Sequence, residues 1–299
     1  MAGKKIITVF GATGAQGGSV AEALLHDGHF AVRAVTRDTS KPAADKLKQA
    51  GAEVVCADLD NKESLAAALK GAYGVFLVTD SWGHSDKGKE LTQGKLVADL
   101  CKHLHVEHVV YSGLENVKKA TGGHLSVPHF DFKGEVEEYF KHLECHITSV
   151  RLAFYYENLL DTFKPQKCKD EACYSICLPV GDVPLDGISV ADLGPAVVTI
   201  LKHPSHYKGK TIGLSAEKLT AEQYAAIMSK VTGKTIKDAK IHPDEFEKRD
   251  FPEAKGMANM FRFYMTKPDR DVEMTHKLNP KVKKFQQWME VNKDKFKDL

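Results

Sequence analysis

Ile6-Ile7-Thr8-Val9-Phe10-Gly11-Ala12-Thr13-Gly14-Ala15-Gln16-Gly17-Gly18-Ser19-Val20 is the stretch from which the rest of the chain is read. A β-branched, apolar run stops on a glycine, and after Gly18 the apolar spacing becomes helical. Gly11, Gly14 and Gly17 have the spacing G-x-x-G-x-x-G, a variant of the dinucleotide fingerprint. In that fingerprint one glycine makes a tight turn, one lets backbone approach a pyrophosphate, and one lets helix pack on strand. A helix starting near Gln16 points its first N–H groups and positive dipole end toward the same place. The competing reading is a plain strand-to-helix turn. The legible strand before and helix after favour a nucleotide site.

The next elements extend the pattern. Val20, Ala23 and Leu24 share a helical face, and Asp27-Gly28 supplies a stop. A second strand, Phe30 to Thr36, ends at Arg37, twenty residues after Gly17. An acid at this position binds the ribose 2′-hydroxyl of NAD, whereas an arginine accommodates the 2′-phosphate of NADP. Arg37, with Lys41 one turn further on, is suited to clamp that phosphate by charge-assisted hydrogen bonds. An exposed strand-end arginine is the alternative. The expectation is NADP(H) in preference to NAD(H).

The alternation continues with a helix carrying Ala43, Leu47 and Ala50, closed by Gly51, and a third strand over Glu53 to Ala57. Asp58 then either accepts from an adenine amino group or caps the next helix, a task that Asp60 with Glu63 fits better. That helix runs from Ser64 to Leu69. A fourth strand, Gly74 to Val78, leads into Thr79-Asp80-Ser81-Trp82 at the end of a parallel sheet where ligands sit. A long helix after Lys89 buries Leu91, Val97, Leu100, Cys101 and Leu104, and a fifth strand, Val109 to Tyr111, ends at Ser112-Gly113. A loop of about 16 residues, long enough to suggest function, reaches His129. A helix from about Phe130 to His142 turns Val136, Tyr139, Phe140 and Leu143 inward, and a sixth strand covers Ile147 to Leu152. Six such alternations in about 150 residues specify an α/β, doubly wound parallel sheet over residues 1–153.

Residues 154–299 read as a smaller α/β domain, with segments such as 189–202 free to pack back on the first. Phe154-Tyr155-Tyr156-Glu157-Asn158 mixes aromatic and polar groups, as a wall does rather than a core. The pattern predicts a strand over Tyr174 to Val180, a turn over Asp182 to Gly187 and a helix from Ser189 to Lys202. A strand at Thr211 to Leu214 and a helix capped by Thr220 with Gln223 follow. Asn279-Pro280 opens a last amphipathic helix with Phe285, Trp288, Met289 and Val291, whose basic charge reads as a solvated face.

The 299 residues carry 42 basic and 40 acidic side chains, a net charge of +2 that creates no global field for nucleic acid or a membrane. No basic run is interleaved with aromatics, which argues against direct nucleic-acid binding. No apolar run approaches the roughly 20 residues of a span, and Met1-Ala2-Gly3-Lys4-Lys5 is not a signal peptide. The six cysteines (56, 101, 145, 168, 173 and 177) form no C-x-x-C pair, so they read as reduced thiols and no metal site is assigned. These features suggest a soluble cytoplasmic protein, with the nucleus open as a second compartment.

Doubly wound NADP folds of this layout resemble the short-chain dehydrogenase/reductase superfamily, whose members use a serine after the fifth strand and a Tyr-x-x-x-Lys pair on the next helix. Ser112 and Lys133 occupy two of these places, but His129 stands where the tyrosine belongs. None of the nine tyrosines has a lysine four residues later, so no residue is assigned a catalytic role. Histidine, with an ordinary pKa of about 6.5, is the alternative proton donor; a residue that caps or lines the helix start is the other reading.

Taken with the glycine loop and the strand end at Arg37, three further motifs carry a narrower resemblance: Tyr111-Ser-Gly-Leu-Glu-Asn116, His129-Phe-Asp-x-Lys133 and Gly181-Asp-Val-Pro-x-Asp-Gly187. Over essentially its whole length the chain resembles the NmrA-like family, atypical relatives of that superfamily regarded as largely non-catalytic NADP(H)-binding redox sensors. The resemblance implies cofactor contacts from Gly11, Ala12, Thr13, Gly14, Ala15, Gln16 and Gly17, and a 2′-phosphate clamp from Arg37, Asp38, Thr39, Ser40 and Lys41. It places Asp58 and Leu59 near adenine, Thr79, Asp80 and Ser81 along the cofactor backbone, and Lys133 at the nicotinamide ribose. It makes Tyr155, Tyr156, Glu157 and Asn158 the wall over the nicotinamide. Asp80 departs from the uncharged amide expected there. The resemblance also implies a homodimer in exchange with monomer and regulatory protein partners. An NADPH-dependent reductase of quinones or carbonyl compounds is the alternative.

Overall fold

The first strand, β1 (Ile6–Val9), is buried beyond Ile6 and hands over to α1 (Ala15–Asp27), which ends where Gly28 turns left-handed at φ 71°. The structure, a computed structural model, describes residues 3–80, 88–169 and 172–299. From α1 the chain alternates through β2 (Ala31–Thr36), α2 (Pro42–Gln49), β3 (Glu53–Cys56), α3 (Lys62–Leu69), β4 (Gly74–Leu77) and α4 (Lys89–His103). It continues through β5 (His108–Ser112), α5 (Val117–Ala120), α6 (Pro128–His142) and β6 (Ile147–Leu152). These strands pair in parallel. β4 and β5 are buried at every residue, as strands covered on both faces require.

After β6 come β7 (Phe154–Tyr155), a 3-10 turn over Tyr156–Leu160, β8 (Gln166–Lys167), β9 (Tyr174–Ile176) and β10 (Leu185–Ile188). Next are α7 (Leu193–Lys202), α8 (Pro204–Tyr207), β11 (Thr211–Leu214), β12 (Glu217–Leu219), α9 (Ala221–Thr232) and β13 (Ile236–Asp238). The chain finishes with α10 (Pro243–Phe246), α11 (Ala254–Met265), α12 (Val272–Leu278) and α13 (Phe285–Asn292).

The main sheet has seven strands in the order β11-β6-β5-β4-β1-β2-β3. The chain moves outward from β1 to β3, then returns to place β4 on the other side of β1. The carboxyl ends of β1 and β4 are therefore the topological switch point, where ligands of open α/β sheets bind. Gly11 and Thr79 follow these two strand ends.

Two compact units emerge. The first comprises Met1–Asn116, Pro128–Arg151 and Ala191–Ile212, and the second Val117–Val127, Leu152–Val190 and Gly213–Leu299. In the first, α7 packs on α1, where Ser19 Oγ donates to Ala191 O (2.9 Å) and accepts from Gly194 N (2.9 Å). A Cβ on Gly194 would collide with the Ser19 carbonyl, so glycine sets that close approach. The second unit holds two three-stranded sheets, β12-β10-β7 and β13-β9-β8, and an aromatic core of Tyr156, Tyr224, Phe285 and Trp288.

Several expectations are corrected. Thr211 to Leu214 becomes the seventh strand of the main sheet: Ser149 N–H donates to Lys210 O and Ala153 N–H to Leu214 O, both at 2.9 Å. The helix α3 is capped by Asn61, whose side chain accepts from Ser64 N (2.9 Å), and not by Asp60. The strand at Tyr174 stops at Ile176, ahead of Pro179, whose missing N–H cannot serve a ladder. The turn lies at Gly181 (φ 55°), and Leu185 to Gly187 is already strand. Asn279-Pro280 ends α12 in a turn, with Val282 N–H on Asn279 O (3.0 Å), and the last helix starts after Lys284.

Cys168 and Cys173 are joined in a disulfide rather than reduced. Register explains the pairing, because Lys167 opposes Tyr174 in the β8–β9 hairpin and leaves the two cysteines facing at a Cα separation of 5.6 Å. Cys56, Cys101, Cys145 and Cys177 are free thiols. Among the described residues, no helix is long and apolar enough to cross a membrane, and no group of three or more His, Cys, Asp or Glu side chains is placed to hold a metal.

Candidate functional site

The glycine loop is built by backbone constraints. Gly11 adopts φ 62°, Gly14 N–H returns to Gly11 O (2.9 Å), and the first backbone bond of α1 runs from Gly18 N–H to Gly14 O (2.8 Å). A Cβ on Gly17 would overlap the carbonyls of Gly11 and Phe10, so only glycine lets α1 start this close to β1. Ala12 N–H donates to Val35 O (3.2 Å), tying the loop to β2, and the Thr13 and Thr36 hydroxyls lie 3.3 Å apart. Gly11, Gly14 and Ala15 are exposed, Thr13 and Gln16 half-buried, and Ala12 and Gly17 buried. The first turn of α1 contains no acidic residue. The positive end of the helix dipole is thus left uncompensated by any side chain of its own first turn.

One strand over, Arg37 to Lys41 form an exposed cationic corner. The Asp38 carboxylate accepts from Ser40 N (2.9 Å) and Ser40 Oγ (2.6 Å), and those hydrogen bonds hold its pKa below the usual carboxylate range. Asp38 therefore shapes the turn, and Thr39 lies within it. Lys41 caps α2, and the Arg37 carbonyl accepts from the Cys56 thiol (3.4 Å), which ties this corner to the end of β3. Beyond β3, Asp58 Oδ1 accepts from Asp60 N (2.9 Å), and half-buried Leu59 packs against the core beneath the sheet. Asp58 holds its own turn and does not cap α3.

The carboxyl end of β4 carries the most tightly bonded part of the site. Lys133, on α6, donates to Thr79 O (2.7 Å), Thr79 Oγ1 (2.9 Å) and Glu90 Oε1 (2.6 Å). Thr79 Oγ1 donates to the same carboxylate (2.7 Å) and lies 3.5 Å from the Tyr111 hydroxyl. Thr79, Glu90 and Lys133 are 3%, 4% and 8% exposed, so this ion pair works in a largely water-free setting. A helix crossing fixes it. Gly94 on α4 meets Val136 on α6 so closely that a Cβ at Gly94 would overlap the valine. Glu90 lies one turn before Gly94 and Lys133 nearly one turn before Val136, which places carboxylate opposite ammonium.

His129 is half-buried at the start of α6, and burial together with the Lys133 ammonium pushes its pKa down to about 4. Its imidazole is therefore neutral near pH 7. Ser112 is buried at the end of β5, and burial raises the Tyr111 phenol well above its ordinary value. Asp80 is exposed, and Ser81 lies outside the described residues.

Tyr155 to Asn158 belong to the second unit. Tyr156 is fully buried against Tyr224, Phe285 and Trp288 and is core, not wall. Glu157 accepts from Ser189 Oγ (2.6 Å), Val190 N (3.1 Å) and Trp288 Nε1 (3.2 Å), a bracing role. Tyr155 is half-buried on β7, and the Asn158 carbonyl accepts from Phe163 N (2.8 Å).

Within the first unit, the sheet brings the glycine loop, Arg37 and the Thr79–Lys133 pair to the carboxyl ends of β1, β2 and β4. Glu90 escaped the sequence reading. An acid in a first helical turn reads as a solvated partner of the dipole, and only its place on the same helical face as Gly94, Val97 and Cys101 hints otherwise.

Comparisons with known proteins agree with this fold. The NmrA-like family profile matches residues 3–292. An NmrA-like family domain-containing protein 1 of Rattus norvegicus is 28% identical, covering 99% of this chain and 100% of its own length. An NmrA-like family domain-containing oxidoreductase of Cladobotryum sp is 32% identical over 87% of this chain and 84% of its own. Among solved structures, the negative transcriptional regulator NmrA superposes with a TM-score of 0.82 at 23% identity, over 96% of this chain and 95% of that one. NmrA has also been crystallised in complex with NADP, a form that matches with a TM-score of 0.80. By profile, sequence and fold, this chain belongs to the NmrA-like family.

Proposed function

We propose that this protein binds NADP(H) at the carboxyl end of its main sheet and acts as a redox sensor. In this reading it changes conformation, oligomeric state and protein contacts with the NADPH/NADP ratio, without turning the cofactor over. One observation carries the binding site: an exposed glycine loop and an acid-free helix start lie at the switch point, one strand from the cationic Arg37–Lys41 corner. The groups fit a dinucleotide bearing a 2′-phosphate. Gly11 and Gly14 leave backbone open to a pyrophosphate, the N-terminus of α1 favours its charge, and Arg37 with Lys41 offers guanidinium and ammonium to the extra phosphate. That NmrA itself has been crystallised with NADP supports the reading.

The regulatory role draws on the proton-transfer position. His129 replaces the tyrosine of the related dehydrogenases, its imidazole is neutral, and Lys133 is already engaged by Thr79 and Glu90. A bound nicotinamide would supply hydride chemistry, but the position four residues before Lys133 carries an imidazole rather than a phenol to manage the proton. A second reading, an NADPH-dependent reductase of quinones or carbonyl compounds, is favoured by the relative described as an oxidoreductase. NADPH absorbance followed with stoichiometric protein, with and without quinones, aldehydes and ketones, separates the two. The sensor predicts tight NADPH binding, an altered sedimentation profile and no consumption. Turnover that vanishes in His129→Ala, with NADPH binding retained, would establish the reductase instead.

A further inference from the structure

A lysine ammonium has three N–H donors and no acceptor. In Lys133 all three are committed inside the first unit, to Thr79 O, Thr79 Oγ1 and Glu90 Oε1. A ribose hydroxyl arriving at Lys133 can accept a hydrogen bond only if one of these partners lets go. The Thr79 carbonyl is main chain, two residues past the end of β4, and moves only with the backbone, and the Thr79 hydroxyl is held by donating to Glu90 (2.7 Å). Glu90 differs, because its carboxylate sits on a rotatable side chain in the first turn of α4. It is the partner that can be exchanged.

We propose that Glu90 is a latch on Lys133: the buried Lys133–Glu90 ion pair competes with the nicotinamide-ribose end of NADP(H), so that seating the ribose releases Glu90. The inference rests on the dinucleotide reading above and adds a positioning residue that acts through Lys133. It also supplies a two-state element of the kind a sensor requires, with Lys133 held either by Glu90 or by the ribose. The adenosine end, bound at Arg37 and the glycine loop, is indifferent to the latch. The nicotinamide end must open it.

That asymmetry gives the test. Calorimetry on the full chain measures the dissociation constants of NADPH and of adenosine 2′,5′-bisphosphate, which lacks the nicotinamide ribose. Glu90→Gln keeps the shape of the side chain and removes its charge, so NADPH should bind about tenfold tighter, the lower end of what a hydrogen bond to a charged group contributes. The bisphosphate should be unaffected, and the gain should disappear in a Lys133→Met background. An unchanged ratio between the two ligands overturns the latch. So does selective weakening of NADPH, which would make Glu90 a direct ribose ligand. If the wild-type protein binds neither compound, the dinucleotide reading falls and the latch with it, a result distinct from an unchanged ratio. Should Glu90→Gln not fold, Glu90→Asp withdraws the same carboxylate by one methylene and carries the same expectation.

Discussion

Arg37 and Gly17 act through different physics, and each gives a prediction of its own. Arg37 is exposed at the end of β2, and its charge is what the proposed clamp uses. Arg37→Glu should weaken NADPH binding about a hundredfold, a charge-assisted hydrogen bond lost and a repulsion gained, while NADH changes less than about twofold. Fluorescence titration with both cofactors measures this, and equal losses would remove Arg37 from the phosphate clamp. Gly17 acts through space. In Gly17→Ala the new methyl collides with the Gly11 and Phe10 carbonyls, so the variant should lose dinucleotide binding and about 2 kcal/mol of stability in urea titrations. Retained NADPH affinity at full stability would show that the loop relaxes freely. Gly17 was legible in the sequence because no side chain fits there, and Arg37 was legible as an exposed cation at a strand end. Glu90 was not, since its burial depends on the Gly94–Val136 approach between two helices that no local pattern records.

Among the elements, the alternation of strands and helices through β6 was readable because each parallel strand is a short apolar run bounded by glycine or a cap. Thr211 to Leu214 was readable as a strand but not as part of the main sheet, because membership depends on the crossover through α7 and α8. The capping box at Thr220 was visible, and both of its hydrogen bonds form. Asn279-Pro280 misled, since the same pair ends a helix as readily as it begins one. What holds β11 and β6 to α6 is Glu137, a 2%-exposed carboxylate on α6. It accepts from Ser149 Oγ (2.6 Å), Arg151 Nη2 (2.9 Å), Lys141 Nζ (2.6 Å) and Thr211 Oγ1 (3.1 Å). Removing the charge leaves Arg151, whose side chain is 23% exposed, with a neutral amide in place of Glu137 and the Glu115 carboxylate at 3.7 Å. Glu137→Gln should therefore cost about 2 kcal/mol of unfolding free energy, less than loss of a partner from a fully buried pair, because Arg151 keeps solvent and Glu115. A urea midpoint within experimental error of wild type would show that solvent reaches the cluster.

For the molecule as a whole, a net charge of +2 conceals local titrations that govern stability. His108 is fully buried on β5; its Nε2 meets Thr148 Oγ1 at 2.7 Å, and that hydroxyl donates to Tyr207 O (2.7 Å). The hydroxyl's single proton is thus used, so His108 donates from Nε2. Burial, with Lys208 and His146 nearby, pushes its pKa to about 4, and burial with Lys133 does the same for His129. Both folded values lie below the ordinary 6.5, so between pH 6.5 and 4 the unfolded chain takes up protons that the folded chain refuses. Their contribution is fully present above pH 6.5 and is lost as the pH falls through that window. Glu137 acts lower. Burial opposes its ionisation, but Arg151, Lys141 and Ser149 prevail and hold its pKa below the ordinary 4.5, so its contribution goes as pH falls through that lower value. Two histidines that take up protons only in the unfolded chain give a slope of up to about 2.7 kcal/mol per pH unit within the window. Urea unfolding at pH 7, 6 and 5 should show stability falling across the series. His108→Gln should remove about half of the slope, since one of the two imidazoles with lowered pKa is gone. A flat profile from pH 7 to 5 would mean that both imidazoles are protonated without penalty, and that the interior around β5 and the start of α6 admits water.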